Sequence, residues 1–410
     1  MVPSRFALYI ERLSRRLWFR VAAMAFLSLL ALALATVIEP YLPDKIANAL
    51  VEEDVLPVLS ILASSMLAVS TYSLGTMVSA HRGAASNATP RVHQLLMQDA
   101  TTINVLSIFI GAFVYSLTAI LLFRLGLHGR GGPVVVMAVT IAVIGLLVVA
   151  MLRWIDHLSD LGSMGATLDL TEGRARKALE RHCAAPFLGG VPIEADHVLP
   201  ARALALEAET SGTLQAIDVE ALNACAEAAG VHVWLERMPG QVVLAGWPVA
   251  RIGGTVDEST AARMLNCFVI GTGRTFEQDA VFGLLVLSEI ASRALSPGIN
   301  DPGTAIEVIS RLERLLWDHA RASHSEAIPF NRVHVPPRSE ATFVEAAFAA
   351  ITRDGAGQIE VAKHLNATLN ALGNSGSVEM VEGAKAMRER LFAHAESALP
   401  IRADVEQLRA

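Results

Sequence analysis

The sequence predicts an α-helical membrane protein with four transmembrane helices, plus an α+β cytoplasmic domain in which a small β-rich part is followed by helices. Three observations predict it. Four apolar blocks of about 20–24 residues, each enough to cross roughly 30 Å of hydrocarbon, lie within the first 152 of 410 residues. Charge is scarce in those blocks and concentrated beyond them. Short alternating strands and then long amphipathic runs follow residue 192.

The blocks are Leu17–Ile38, Val55–Val78, Ile103–Phe123 and Pro133–Leu152, and Arg20 is the only formal charge in any of them. It sits near an end, where it can snorkel to the interface. The first block also has the look of a signal peptide, with a basic start and Ala33-Leu34-Ala35 as a cleavage site. The apolar run continues past that point to Ile38, which favours a retained helix. Residues 1–20 carry five arginines against Glu11, net +4, and Glu39–Asp54 carries net −4. The positive-inside rule therefore places the N-terminus in the cytoplasm. Four crossings return the chain there, so both termini are expected to be cytoplasmic, in a bacterial inner membrane.

Apolar residues make up 53 % of the chain and charged residues 18 %, against roughly 25 % charge in an average soluble domain. That composition excludes a disordered chain. The net charge of −7, with −10 beyond residue 152, argues against nucleic acid as a partner. Three cysteines, Cys183, Cys225 and Cys267, are too few and too scattered for a disulfide framework or a zinc site. They read as buried thiols in a reducing compartment.

The second apolar block holds seven hydroxyl residues, among them Ser60, Ser64 and Thr71, together with Gly75. Ser60, Ser64, Thr71 and Gly75 recur at helical spacing on one face and are the candidate pore-lining residues. The alternative for this face is helix packing through small residues. No Asp, Glu, Lys or His lies deep in a block, which argues against a proton relay. After it, Thr89 can cap a short amphipathic helix with Pro90 at its first position and Val92, Leu95 and Leu96 along one side.

Residues 153–192 read as a juxtamembrane helix and linker, closing on the Pro/Gly stretch 186–192. Residues 193–272 read as the β-rich subdomain. Thr213–Ile217 is a strand, Asp218 caps Val219–Ala229, and Gly230 ends that helix. Val231, Val233 and Leu235 alternate with His232, Trp234 and Glu236 as in a half-buried strand. Gln241–Ala245 and Trp247–Ile252 follow as strands. Asp257 opens a helix, and Phe268–Ile270 is a short buried strand. Two segments, Ser211–Ile217 and Pro239–Pro248, resemble barrel-sandwich hybrid domains over about forty residues, but they contain no lysine for a lipoyl or biotinyl group. Gly271–Thr275 lacks the Gly-Lys-Ser/Thr ending of a phosphate loop.

Residues 273–410 read as a helical subdomain. Thr275 is expected to cap a helix over Phe276–Leu295, and further helices are expected over Ala305–Arg321, Glu340–Arg353, Gln358–Leu372 and Val378–Leu399. The turn Ser296–Thr304 is the densest motif. Asp301-Pro302 is a cap and first-position pair. The same turn offers a candidate ligand site built from Glu289, Arg293, Asn300 and Asp301. Ser323–Arg338 is expected to be a loop, with His319, His324 and His334 in or near it. These histidines lack a His-x3-His spacing and suggest no metal. No catalytic constellation stands out, so neither an enzyme nor a cofactor is expected.

Several motifs resemble a bacterial predicted-membrane-protein family, domain of unknown function 2254. They are Thr89-Pro90-Arg91, Gly111–Tyr115, Trp154–His157, Ser211–Ala221, Arg274–Asp279 and Arg293–Pro302. The chain departs from the pattern at Thr89, where Ser is usual, and at Gly303, where a bulky aromatic is usual. The resemblance implies an inner-membrane protein with a cytoplasmic tail and supplies no activity. The reading that follows is an oligomeric ion channel or passive permease with a regulatory cytoplasmic domain. Its partners would be the lipid bilayer, further copies of the chain, and a small ion or ligand. The alternative is a membrane-anchored scaffold or small-ligand sensor without transport.

Overall fold

The computed structural model describes residues 50–87, 89–92, 100–126, 131–160, 163–194 and 203–409, with Ala22, Phe26, Leu27, Leu29, Leu30 and Ala33. It divides into two compact units, Met1–Thr167 and Leu168–Ala410.

In the first unit, α1 (Glu52–Asn87), α2 (Ala100–Arg124) and α3 (Gly132–Asp160) are the described helices. Each contains a segment long and apolar enough to cross a membrane: Glu52–Ser79, Asn104–Arg124 and Gly132–Leu158. They coincide with three of the four expected spans. Most of the fourth, Leu17–Ile38, lies outside the described residues, so three spans rather than four stand among those described. Most of the amphipathic helix expected after Thr89 lies outside them too.

The three helices pack by a repeat of alternating four and three residues. On α2 the buried positions include Val105, Phe109, Ala112, Ser116, Ala119 and Phe123. On α3 they are Val136, Thr140, Val143, Leu147, Ala150 and Trp154. That spacing keeps one seam facing its neighbour, as in a left-handed bundle. Small and hydroxyl residues on the seam let the backbones approach. Tyr115 Oη reaches Thr140 Oγ1 at 3.1 Å, while the Thr140 hydroxyl donates to Val136 O at 2.7 Å. The outward face carries Ile61, Leu67, Leu117, Leu121, Ile141 and Val148. Hydrocarbon solvates such a face without cost.

The second unit begins within α4 (Met164–Ala184). A turn with left-handed Phe187, Leu188 and Gly189 then leads into β1 (Gly190–Pro192). There follow β2 (Ala203–Glu207), β3 (Gly212–Ile217), α5 (Val219–Ala229), β4 (His232–Leu235), β5 (Val242–Val243), β6 (Pro248–Gly253), α6 (Glu258–Leu265) and β7 (Phe268–Gly271). The rest is α7 (Ala280–Ala294), α8 (Pro302–Arg321), β8 (Phe330–Val335), α9 (Ala341–Gly355), α10 (Ile359–Leu372), α11 (Val378–Ala398) and α12 (Arg402–Arg409).

The larger sheet runs β1-β8-β4-β6-β2, with β8 parallel to both its neighbours and the other pairs antiparallel. The smaller sheet is antiparallel, β5-β3-β7. Asp218 and Asp257 cap α5 and α6 as the sequence predicts, each accepting from a backbone N–H of the first turn. One core joins both sheets to these helices through Leu214, Leu222, Val233, Ile252, Met264 and Val333.

Two expectations are corrected. Residues 323–338 are not all loop, because Val333 and Val335 are fully buried and β8 pairs with strands a hundred or more residues earlier in the chain. Nor does Thr275 cap a helix. Its hydroxyl bonds Gln215 O, and Gln278 bonds both Ile217 N and Ile217 O, so this segment runs along β3 and α7 starts only at Ala280.

Tyr115→Phe removes one membrane hydrogen bond but leaves Thr140 its own carbonyl partner. It is expected to cost about 0.6 kcal/mol. Phe109→Ala opens a cavity at a fully packed seam and is expected to cost about 3–5 kcal/mol. Unfolding of the detergent-solubilised protein measures both, and equal losses would contradict this packing.

Candidate functional site

Helix α4 carries Asp169, Glu172 and Arg176 at positions i, i+3 and i+7, and α8 carries Arg311, Arg314 and Asp318 at the same spacing. Such residues share one helix face. The two faces meet. Arg311 bonds Asp169 at 2.6 Å and Glu172 at 2.8 Å, Arg314 reaches Glu172 at 3.4 Å, and Arg176 bonds Asp318 at 2.7 Å. Three of these pairs are 142 residues apart, so the helices run parallel in a single register. Arg311 is 12 % exposed and also bonds Glu307. Burial opposes its charge, but its three carboxylates outweigh this and raise its pKa. On the other side of α4, Gly283 of α7 lets the helices touch: a Cβ there would come within 2.5 Å of the Ala175 Cβ.

This register brings the end of α4 to the end of α8. Cys183 Sγ lies 3.2 Å from His319 Nδ1 and 3.6 Å from His324 Nε2. One donor atom from each of the three residues lies within 4.8 Å of the others. Cys183 and His319 are buried, whereas His324 is exposed. His324 is placed by the backbone, because Ser325 N–H donates to Cys183 O at 2.9 Å. On the far side of the His319 ring, Nε2 lies 3.5 Å from Glu340 Oε1. The Ser377 hydroxyl donates to Glu340 in turn. Phe343 packs edge-on against both His182 and His319.

The electrostatics divide these histidines. Burial works against charge on His319, yet its contacts with Cys183 and Glu340 prevail and push its pKa up to about 9. His182 is lowered to about 4, first by burial and then by the neighbouring His319 and Arg338. The neighbouring His319 holds the Glu340 carboxyl below its ordinary value, despite burial. A cleft of 380 Å³ opens onto this cluster, lined by Arg176, Leu179, Cys183, Leu315, Asp318 and His319 among others. The arrangement offers one thiol, two imidazoles and a backing carboxylate. It can ligate a cation or activate the thiol.

Sequence reasoning missed this cluster, because Cys183 stands 136 residues from His319. The available signal was His319-x4-His324 across a helix end, a spacing known for zinc ligands. His334 belongs elsewhere. It bonds His232 Nδ1 at 2.9 Å across the sheet and stacks on Trp234.

The residues singled out from sequence occupy other places. Ser60, Ser64, Thr71 and Gly75 all lie on the exposed face of α1. The Ser64 hydroxyl donates to Ser60 O and Ile61 O, and that of Thr71 to Leu67 O and Ala68 O. Ser70 and Ser73, on the buried face, have buried hydroxyls with no hydrogen-bond partner among the described residues. Glu289 and Arg293 stand half-buried one turn apart on α7. Asn300 is left-handed, with φ of 50°, and its Oδ1 accepts from Gln358 at 3.2 Å. Asp301 accepts from Thr304 N at 3.0 Å and from the Thr304 hydroxyl at 2.6 Å, so its carboxylate caps α8.

A further carboxylate is more deeply held. Asp279 is fully buried and pairs with Arg274 at 2.7 Å and Arg338 at 3.3 Å. Gly240, at φ of 95°, makes room for it, since a Cβ there would overlap the carboxylate. Arg338 also bonds Pro239 O at 3.1 Å, tying the turn before β5 to the start of α7.

Asp301 gives a test of the cap. The Thr304 hydroxyl and amide lower its pKa, so its contribution is complete above about pH 4 and is lost as pH falls below that. Asp301→Ala is expected to cost about 1 kcal/mol at pH 7. Asp301→Asn keeps most of the cap and flattens its acid dependence. Thermal unfolding at pH 7 and pH 3 reads both, and an Asp301→Ala loss that is the same at the two pH values would contradict the capping role.

Comparisons with known proteins agree with the apolar helices. A family model described as a predicted membrane protein, DUF2254, matches residues 14–371. Uncharacterised proteins of Mycobacterium bovis and Mycobacterium tuberculosis are each 28 % identical over 315 residues, 73 % of this chain and 60 % of theirs. The chain thus spans about three fifths of the length of these curated relatives. No solved structure matches. The model spans most of the chain and includes all the described membrane-length helices, and the chain belongs to the DUF2254 family of predicted membrane proteins.

Proposed function

We propose that this membrane protein is a ligand sensor: its apolar helices hold it in a bilayer, and its second unit binds a small ligand at the cleft beside Cys183 and His319. The observation that carries this reading is the cluster of Cys183, His319 and His324, backed by Glu340, two of whose members, Cys183 and His319, line one cleft. Side chains with such costly desolvation converge where a ligand repays it. The sensor is not an enzyme in this reading. It sits in a bacterial inner membrane with both termini cytoplasmic, an orientation supported by the +4 charge of residues 1–20.

A second reading has its own support. Ser60, Ser64, Thr71 and Gly75 form an exposed stripe of small residues on α1. In a homo-oligomer this stripe could pack copies together or line an ion channel or passive permease between them. The hydroxyl bonds of Ser64 and Thr71 to their own helix favour the sensor, since those groups need no water path.

One pair of experiments separates the readings. A thermal-shift screen of the full chain in detergent is expected to find a stabilising ligand, because binding to the native state raises Tm by mass action. Ala322→Trp, which fills the cleft, is expected to abolish that shift. Liposomes carrying the protein are expected to show no ion flux. Flux that Gly75→Leu blocks would overturn the sensor and support the channel.

A further inference from the structure

We propose that Cys183, His319 and His324 bind a divalent transition-metal ion of the zinc class, with a fourth position open to the cleft. The inference rests on reading the cleft as the ligand site and names the chemical class of the ligand.

Geometry comes first. Zinc binds thiolate sulfur at about 2.3 Å and imidazole nitrogen at about 2.0–2.1 Å in a tetrahedron. The edges of such a tetrahedron are therefore about 3.3–3.6 Å. The Cys183–His324 separation of 3.6 Å matches a sulfur–nitrogen edge, and the Cys183–His319 separation of 3.2 Å is shorter than one by a few tenths of an ångström. The remaining edge lies within 4.8 Å, and the exposed His324 side chain is the one that would shift to shorten it.

The surroundings fit as well. A metal-bound imidazole characteristically gives its other nitrogen to a carboxylate, which fixes the ring and raises its basicity. His319 presents Nδ1 to Cys183 and Nε2 to Glu340, and Glu340 is itself held by Ser377. The Ser325 to Cys183 backbone bond holds the loop that bears His324. One thiol and two imidazoles suit zinc, cobalt or nickel and disfavour magnesium and calcium, which take oxygen ligands. Three protein ligands leave one coordination position for water or an incoming group, as in exchangeable rather than closed sites.

A nucleophilic thiol is the competing use of the same residues, with His319 as base and Glu340 as its orienting partner. The second imidazole favours the metal. A thiol–base pair needs one imidazole, whereas His324 brings a second ring nitrogen to 3.6 Å from Sγ and makes a three-donor set.

The test uses full-length protein in detergent, stripped with a chelator and kept reduced without added thiol. Titration with Co²⁺ is expected to bind one ion per chain with a sulfur-to-cobalt charge-transfer band, and Zn²⁺ is expected to displace it. Cys183→Ser is expected to lose the band and at least tenfold in affinity. Glu340→Gln is expected to keep the band and bind about 10–100-fold more weakly. Near-ultraviolet circular dichroism confirms the fold of each variant. A folded protein without the band, or a band unchanged in Cys183→Ser, overturns the assignment. So does alkylation at Cys183 that Zn²⁺ does not slow, which would favour the nucleophile. If a different ligand gives a Tm shift that Ala322→Trp abolishes while Co²⁺ gives none, the metal assignment falls and the sensor stands. If the metal binds as expected but the liposomes conduct, the metal site stands and the sensor without transport falls.

Discussion

The register between α4 and α8 is the constraint on which the second unit's chemistry depends. Two parallel helices set like dipole ends side by side, which is unfavourable without compensation. Here Asp169, Glu172 and Arg176 meet Arg311, Arg314 and Asp318 at a constant offset, and each contact opposes unlike charges. An isolated surface pair adds little. A network centred on the largely buried Arg311 specifies register more strongly, since a slip by one turn would leave it facing the wrong partners. The same offset continues past the helices, where Ser325 bonds Cys183. The thiol therefore meets two imidazoles as a consequence of charge patterning along the two helices.

The first unit solves a different problem. Apolar side chains gain little by leaving lipid for one another, so the helices associate through fit. Small residues and hydroxyls mark the seams, as Ala112, Ser116 and Ala119 do on α2. Serine and threonine are tolerated there because their hydroxyls bond carbonyls one turn back, as Ser116 does to Ala112 O at 2.8 Å. That habit explains why a count of hydroxyls in α1 does not identify a pore wall.

Local features were legible in the sequence. The spans over Val55–Val78, Ile103–Phe123 and Pro133–Leu152 follow from length and charge, and the caps at Asp218, Asp257 and Asp301 follow from residue type. These depend on neighbours within a turn or two. What was not legible depends on distant partners. β8 needs β4 and β1, and the loop before α7 needs Gln215 and Ile217. The Cys183 cluster needs two elements that no local pattern relates. Both helices showed a charged face at matching spacing, but nothing in either one named the other. Gly240 is intelligible only once the Asp279 carboxylate is known to lie against it.

The parallel register is most directly tested by cross-linking. In a chain whose three cysteines are serines, Arg176→Cys is combined with Asp318→Cys or, one heptad out of register, with Arg311→Cys. A short thiol-reactive linker is then applied to the folded protein. Positions 176 and 318 are expected to cross-link rapidly, and positions 176 and 311 slowly. Equal rates, or the reverse order, would contradict the register and with it the placement of Cys183 beside His319.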